Sequence, residues 1–222
     1  MPSFLKEHLL ELPLFQGISR YDLVDILKSL KPQRMTSIKG RVIVREGDTC
    51  NRMFFLLNGS LNAVAESDDH EYTLTEELKA PNLIQPECIF GLNQRFTRTF
   101  KAAEPCELMV IAKPDIIWLS DNYNIFKINL LNIICTRIQK TSRFPWRIGS
   151  LTIRQKIARF VEERCLTQMG KKTLTITMPR LAQEIGESRL NVSHELRAMK
   201  RDGLIQTRRS EIHFPTFESL IK

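Results

Sequence analysis

The sequence predicts a mixed α+β fold, and three stretches carry the prediction. Between Met35 and Ala112 apolar residues come in strand-length runs separated by Gly-marked turns, with no helical period between them. From Pro114 onward the period becomes that of a long helix. Ile176 to Ile205 reads as two helices about a sharp turn, with a strand pair after them. The expected architecture is an N-terminal jelly-roll-like β-barrel with flanking helices, a long dimerisation helix, and a C-terminal winged helix-turn-helix. The expected domains are residues 1–143, with the dimerisation helix at about 115–143, and residues 144–222.

Each element has its own local signal. Leu5, Leu9 and Leu12 recur at helical spacing until Pro13 interrupts them. Ser19 can cap a second helix in which Leu23, Ile26, Leu27 and Leu30 recur, closed by Pro32. Arg41 to Arg45 and Met53 to Leu57 read as strands around the turn Glu46-Gly47-Asp48. Asn58-Gly59 is a two-residue hairpin signal leading into a strand from Ser60 to Ala65. Glu66 to Glu71 is a polar tip, Tyr72 to Leu78 another strand, Pro81 to Phe96 irregular, and Glu107 to Ala112 a final strand.

Beyond the barrel, Ile128, Leu131, Cys135 and Ile138 are spaced three, four and three, a heptad seam, and Ile125, Leu130 and Ile134 widen the apolar surface. A helix with both a seam and an apolar flank can pack on its own barrel and on a twin helix, which predicts a homodimer. Pro145 and Gly149 break this helix and mark a hinge in Arg143 to Ser150. Thr152 to Cys165 is then a helix, and Thr173 to Ile176 a short strand.

The helix pair is the most informative stretch. Thr177 can cap a helix with Pro179 in its first turn, and Gly186 suits the turn that follows. Ser188 caps the second helix, in which Val192, Leu196 and Met199 share one side. Arg189, Leu190, Ser193, His194, Arg197 and Lys200 lie opposite, a polar and basic face that suits a DNA groove. Gln206 to Arg209 and Glu211 to Phe214 then form a wing, with Arg208 and Arg209 near its tip for phosphate contact.

Composition agrees with that reading. The net charge is +8, and residues 147–222 hold 15 Lys/Arg against 8 Asp/Glu, so nearly all of the excess lies in the last third. The five cysteines are scattered with no CxxC pair, which fits a reduced cytoplasm and suggests neither a zinc site nor a locally spaced cluster. No apolar run approaches the ~18 residues of a membrane span, and the N-terminus does not read as a signal peptide. The four histidines are dispersed, and no nucleophile with a paired base or phosphate loop is present, so enzyme activity is not expected.

The whole order, with the motifs PLFQGIS (Pro13 to Ser19), KGRVIVREGD (Lys39 to Asp48), MFFLLNGSLNAV (Met53 to Val64) and IGESRLNVSHELRAMKRDGLI (Ile185 to Ile205), resembles the Crp/Fnr family of bacterial transcription regulators. The resemblance implies a sensory β-roll that gates DNA binding, a homodimer on a palindromic double-stranded site, and contact with RNA polymerase. It also implies an effector pocket at Pro86, Glu87 and Cys88, opposite Phe96, Thr97 and Arg98. The family's cyclic-nucleotide binders carry Gly-Glu-Leu and Arg-Ser at those two places. Here Pro86 lacks an N–H to donate, and Phe96-Thr97 stands at the Arg-Ser position. These departures argue against cyclic AMP and leave the effector open. The family's oxygen sensors use an N-terminal cysteine cluster, whereas this chain has no cysteine before Cys50, so no iron–sulfur cluster is expected.

Two other readings compete. A ligand-binding regulatory subunit can have a C-terminal domain that docks protein instead of DNA. A cupin-type enzyme would show a similar barrel but needs clustered metal ligands, and no His-x-His occurs in the sequence.

Overall fold

The computed structural model of the protein describes residues 9–30, 32–143 and 151–221. The helix expected up to Leu12 lies mostly outside the described residues, as does the hinge after Arg143. The chain resolves into two compact units. One holds residues 1–61 and 78–142; the other holds 62–77 and 143–222.

In the first unit a 3₁₀ turn, Pro13–Phe15, precedes helix α1, Arg20–Ser29. Ser19 caps α1, its hydroxyl accepting from the Asp22 amide at 3.0 Å. The strands follow as β1 (Gln33–Ser37), β2 (Val42–Val44), β3 (Arg52–Asn58), β4 (Ser60–Glu66), β5 (Thr73–Lys79), β6 (Asn82–Ile84), β7 (Thr99–Ala102) and β8 (Cys106–Ala112). One sheet has the order β1-β8-β3-β6, all antiparallel. On the other side of the roll β4 lies next to β7, which pairs antiparallel with β2. Phe15, Phe55 and Phe126 meet in the core with ring centroids 5.4–5.9 Å apart, all fully buried.

Three corrections to the sequence reading arise here. Asn58-Gly59 does not close a hairpin, because β3 and β4 lie in different sheets. It is a corner that carries the chain from one sheet to the other. Gly59 sits at φ +83°, and a Cβ there would come within 2.5 Å of the Pro105 carbonyl oxygen. Glycine is therefore required by both backbone angle and space. Strands β1, β6 and β7 were not anticipated; β6 is three residues long and β1 reads as polar, so neither shows the expected alternation. The helix after the roll is also not continuous. It is α2 (Lys113–Asn122), then a break at Tyr123, then α3 (Asn124–Arg143).

Helix α3 buries Phe126 and Leu130 against the roll. Its Asn129 amide donates to the carbonyls of Leu14 and Gln16 at 3.2 and 2.8 Å, pinning it to the 3₁₀ turn. The seam residues point elsewhere: Ile128, Leu131 and Ile138 are each more than half exposed, and Cys135 is exposed too.

The second unit contains α4 (Ile153–Glu163), β9 (Lys172–Thr175), α5 (Met178–Glu184), α6 (Arg189–Arg201), β10 (Gln206–Arg208), β11 (Glu211–Phe214) and a short α7 (Glu218–Ile221). Its strands pair in the order β5-β9-β11-β10. The helices cover a core that includes Ile157, Val161, Leu181, Val192, Met199 and Phe214, all at most 1% exposed. Among the described residues no helix is long and apolar enough to cross a membrane.

Candidate nucleic-acid interface

The helix pair forms where its capping residues place it. The Thr177 hydroxyl accepts from the Arg180 amide, which starts α5. The Ser188 hydroxyl accepts from the Asn191 amide at 3.1 Å, which starts α6. Between them Gly186 takes φ +64°, and the Glu187 amide closes the turn on the Ala182 carbonyl at 2.9 Å. Val192, Leu196 and Met199 are buried, so the other side of α6 is fixed outward.

That outward side holds the residues singled out from sequence. Arg189, Leu190, His194, Arg197 and Lys200 are exposed, with Ser193 half-buried among them; Leu190 is 67% exposed at the first turn. Arg208 and Arg209 are exposed at the β10–β11 turn, where Ser210 takes φ +58°. Thr177 and Ser188 are exposed at the two helix starts.

Charge is sorted across this unit. Each of the eight carboxylates of residues 147–222 has a partner within its own unit. Arg154 on α4 reaches Glu195 at 2.7 Å and Asp202 at 2.8 Å, and Lys156 reaches Glu187 at 2.6 Å. The Lys156 hydrogen bond holds the Glu187 carboxyl below its ordinary range, and the bonds from Glu195 and Asp202 raise the Arg154 guanidinium. Glu163 pairs with Arg159, and Glu184 with Arg164 and Arg180. Glu211 meets His213, Glu162 accepts from Gln168, and Glu218 accepts from the Gly170 amide. By contrast Arg189, Arg197, Lys200, Arg208 and Arg209 form no ion pair among the described residues. The outward face therefore presents cations that no carboxylate of the described residues neutralises.

The expected effector cleft lies in the first unit, and it is furnished with internal contacts. Pro86, Glu87 and Cys88 form a single 3₁₀ turn entered through Gln85, which takes the left-handed conformation at φ +35°. The Glu87 carboxylate pairs with Arg137 on α3. Across the cleft the Thr97 amide donates to the Gln85 side chain at 3.1 Å, and the Gln85 amide donates to the Thr97 hydroxyl. Phe96 is buried edge-on to Phe54, with centroids 6.0 Å apart. Phe96 and Arg98 are both buried, Arg98 at 8% exposed, while Thr97 between them is exposed. Burial pushes the Cys50 thiol up to about 12 and the Cys88 thiol up to about 11, so both stay protonated at neutral pH.

Gln85 and Arg137 were missed from sequence. Gln85 belongs to no motif, and Arg137 lies 50 residues from its partner on a helix whose signal was its apolar seam.

Residues 37–123 match the family model of the cyclic nucleotide-binding domain. The chain is 23% identical over 174 residues to the cAMP-activated global transcriptional regulator Vfr of Pseudomonas aeruginosa, covering 75% of this chain and 81% of that protein. Its fold is like that of the Thermus thermophilus catabolite activator protein, with TM-score 0.51, 18% identity, and 94% and 96% of the two chains covered. It is also like the c-di-GMP responsive global regulator CLP of Xanthomonas campestris, with TM-score 0.52, 18% identity, and coverage of 86% and 97%. The sensor domain of the transcriptional regulator DNR of Pseudomonas aeruginosa matches with TM-score 0.53 and 17% identity over 67% of this chain and 95% of that one.

Proposed function

We propose that the chain, which is consistent with a Crp/Fnr family regulator and matches the cyclic nucleotide-binding domain model at residues 37–123, binds a two-fold symmetric DNA site. Helix α6 enters the major groove, and the β10–β11 wing lies along the backbone. The observation that carries this reading is the sorting of charge: every carboxylate of the C-terminal segment has a partner within its unit, whereas the cations of α6 and the wing are exposed and form no ion pair among the described residues. Arg189 stands at the start of α6, where it can pair bidentately with guanine O6 and N7. Leu190 beside it offers only apolar contact, suited to a thymine methyl.

The symmetric site requires two copies. The exposed seam of Ile128, Leu131, Cys135 and Ile138 supports pairing of α3 with its twin. Leu131→Glu places a charge in that seam and is expected to give monomers in sedimentation. Palindromic-site affinity should fall on the order of 100-fold, because the second half-site contact becomes a separate event. An unchanged dimer would remove α3 as the interface.

The effector is not cyclic AMP in this reading. A phosphate needs a cation and oriented donors, whereas Pro86 has no N–H, Phe96 fills the cleft wall, and Glu87 already holds Arg137. Selection of duplexes from a random DNA pool by the purified chain, with and without cyclic AMP, tests both parts. One palindrome enriched equally in both arms is the expected result. Enrichment only with cyclic AMP overturns the effector reading, and no enrichment in either arm favours a C-terminal domain that docks protein.

A further inference from the structure

Apolar packing leaves one property of α6, its pitch, to be settled by polar contacts. Val192, Leu196 and Met199 share a buried core with Ile157 and Val161 of α4. Such packing fixes which face of a helix is buried, but crossing angles between packed helices scatter by about 15–20°. That scatter matters for reading bases. Arg189 lies roughly 9 Å along the axis from Glu195 at the middle of α6, at 1.5 Å per residue. A swing of about 10° around that middle moves Arg189 by roughly 1.5 Å. The whole range of a good N–H···O distance is only about 0.5 Å.

Two cations of α4 take up this freedom. Arg154 donates from Nε to Glu195 at 2.7 Å and from Nη2 to Asp202 at 2.8 Å. Lys156 donates from Nζ to Glu187 at 2.6 Å. Glu187 immediately precedes the Ser188 cap, Glu195 stands mid-helix, and Asp202 is the C-cap, so α6 is held at its start, middle and end. Arg154 and Lys156 are two residues apart, so at about 100° per residue they leave α4 on nearly opposite sides. At the start of α6 the hold extends further, because the Glu187 carboxylate also accepts from the Asn191 side chain, in the turn that carries Arg189 and Leu190. Part-exposed ion pairs add little to stability. What these supply is geometry, and the guanidinium fork that bridges two carboxylates supplies most of it.

We propose that Arg154 and Lys156 are positioning residues for base reading: they set the pitch of α6, and with it the discrimination of one DNA sequence from another, through α6 rather than by contact with DNA. This rests on the DNA-binding reading above. Were they only neutralising carboxylates beside DNA, their loss would change the affinity for all sequences alike.

Competition binding by the full-length chain, with the enriched duplex against a random-sequence duplex, separates the two roles. Lys156→Gln/Glu187→Gln removes one pair with no change in net charge. Arg154→Gln/Glu195→Gln/Asp202→Asn removes the fork and both its carboxylates, which makes the unit more positive. In each variant the preference for the enriched duplex should fall on the order of 10-fold. Affinity for the random duplex should hold within about 2-fold in the first variant and rise in the second. Lys171→Gln, at a cation paired with Glu77 at 3.7 Å, should leave the preference unchanged. Urea midpoints of both variants should stay near that of the unaltered protein; should either lose its transition, the other carries the test with the same outcomes. An unchanged preference overturns the proposal, as does an equal change in affinity for both duplexes. If the random-pool selection yields no duplex, the DNA-binding reading itself fails; if the selection succeeds and the preference survives these variants, the positioning role alone fails.

Discussion

Glu76→Ala is expected to destabilise the second unit by about 3–5 kcal/mol, the usual cost of leaving a buried charge without its partner. Glu76 and Lys172 have fully buried side chains and meet at 2.9 Å. The remaining capacity of each is used: Glu76 accepts from the amides of Leu166 at 2.7 Å and Thr167 at 3.2 Å. Lys172 also donates to the Met169 carbonyl at 3.2 Å and the Thr167 hydroxyl at 3.4 Å. Alanine at position 76 would strand an ammonium in the core and release two loop amides. The paired variant Glu76→Leu/Lys172→Met removes both charges and should recover most of the loss, because the desolvation of two ions offsets their attraction. Urea unfolding of Glu76→Leu, Lys172→Met and the paired variant measures this as a coupling energy. A loss below about 1 kcal/mol for Glu76→Ala would mean that the pair is solvated and not a structural joint.

Arg189→Ala is expected to cost about 1–3 kcal/mol of DNA affinity and to relax preference at one base pair in each half-site. The side chain is exposed at the first turn of α6 and takes no part in the unit's internal ion pairs, so its removal leaves the fold intact. Arg208→Ala and Lys200→Ala should behave differently. They should weaken all sequences alike and reduce the salt slope by about 1 each, the signature of phosphate contacts. Competition binding against duplexes with single substitutions, at two salt concentrations, separates the two classes. If Arg189→Ala leaves both affinity and preference unchanged, α6 is not the reading element.

Much of the candidate interface was legible in the sequence because its determinants are local. Thr177, Ser188 and Gly186 start and turn the two helices through bonds spanning three to five residues. The spacing of Val192, Leu196 and Met199 alone fixed which face of α6 is buried, and hence that Arg189 to Lys200 lie outward. The cleft was legible only in part. Phe96 and Arg98 are both buried, but they stand in a bend before β7, outside any strand whose period could have placed them. That Glu87 would be held by Arg137, and Thr97 by Gln85, has no local signature, because each contact joins segments brought together only by folding.

By itself, then, the chain's pattern determined the helix pair, its caps, the exposed seam on α3 and the apolar runs of β3 and β8. Those features follow from backbone periodicity and from hydrogen bonds between near neighbours. Tertiary structure decided which strands pair. Asn58-Gly59 has the residues of a hairpin, but the chain turns a sheet corner there, with Gly59 packed so closely on Pro105 and Cys106 that no side chain would fit. β5 reads as an ordinary roll strand, yet its outer edge completes β9, since Leu74 finds its apolar partner in Leu174 and Glu76 finds its cation 96 residues away in Lys172. A strand's sequence states which face is apolar; only the folded chain supplies the edge it joins.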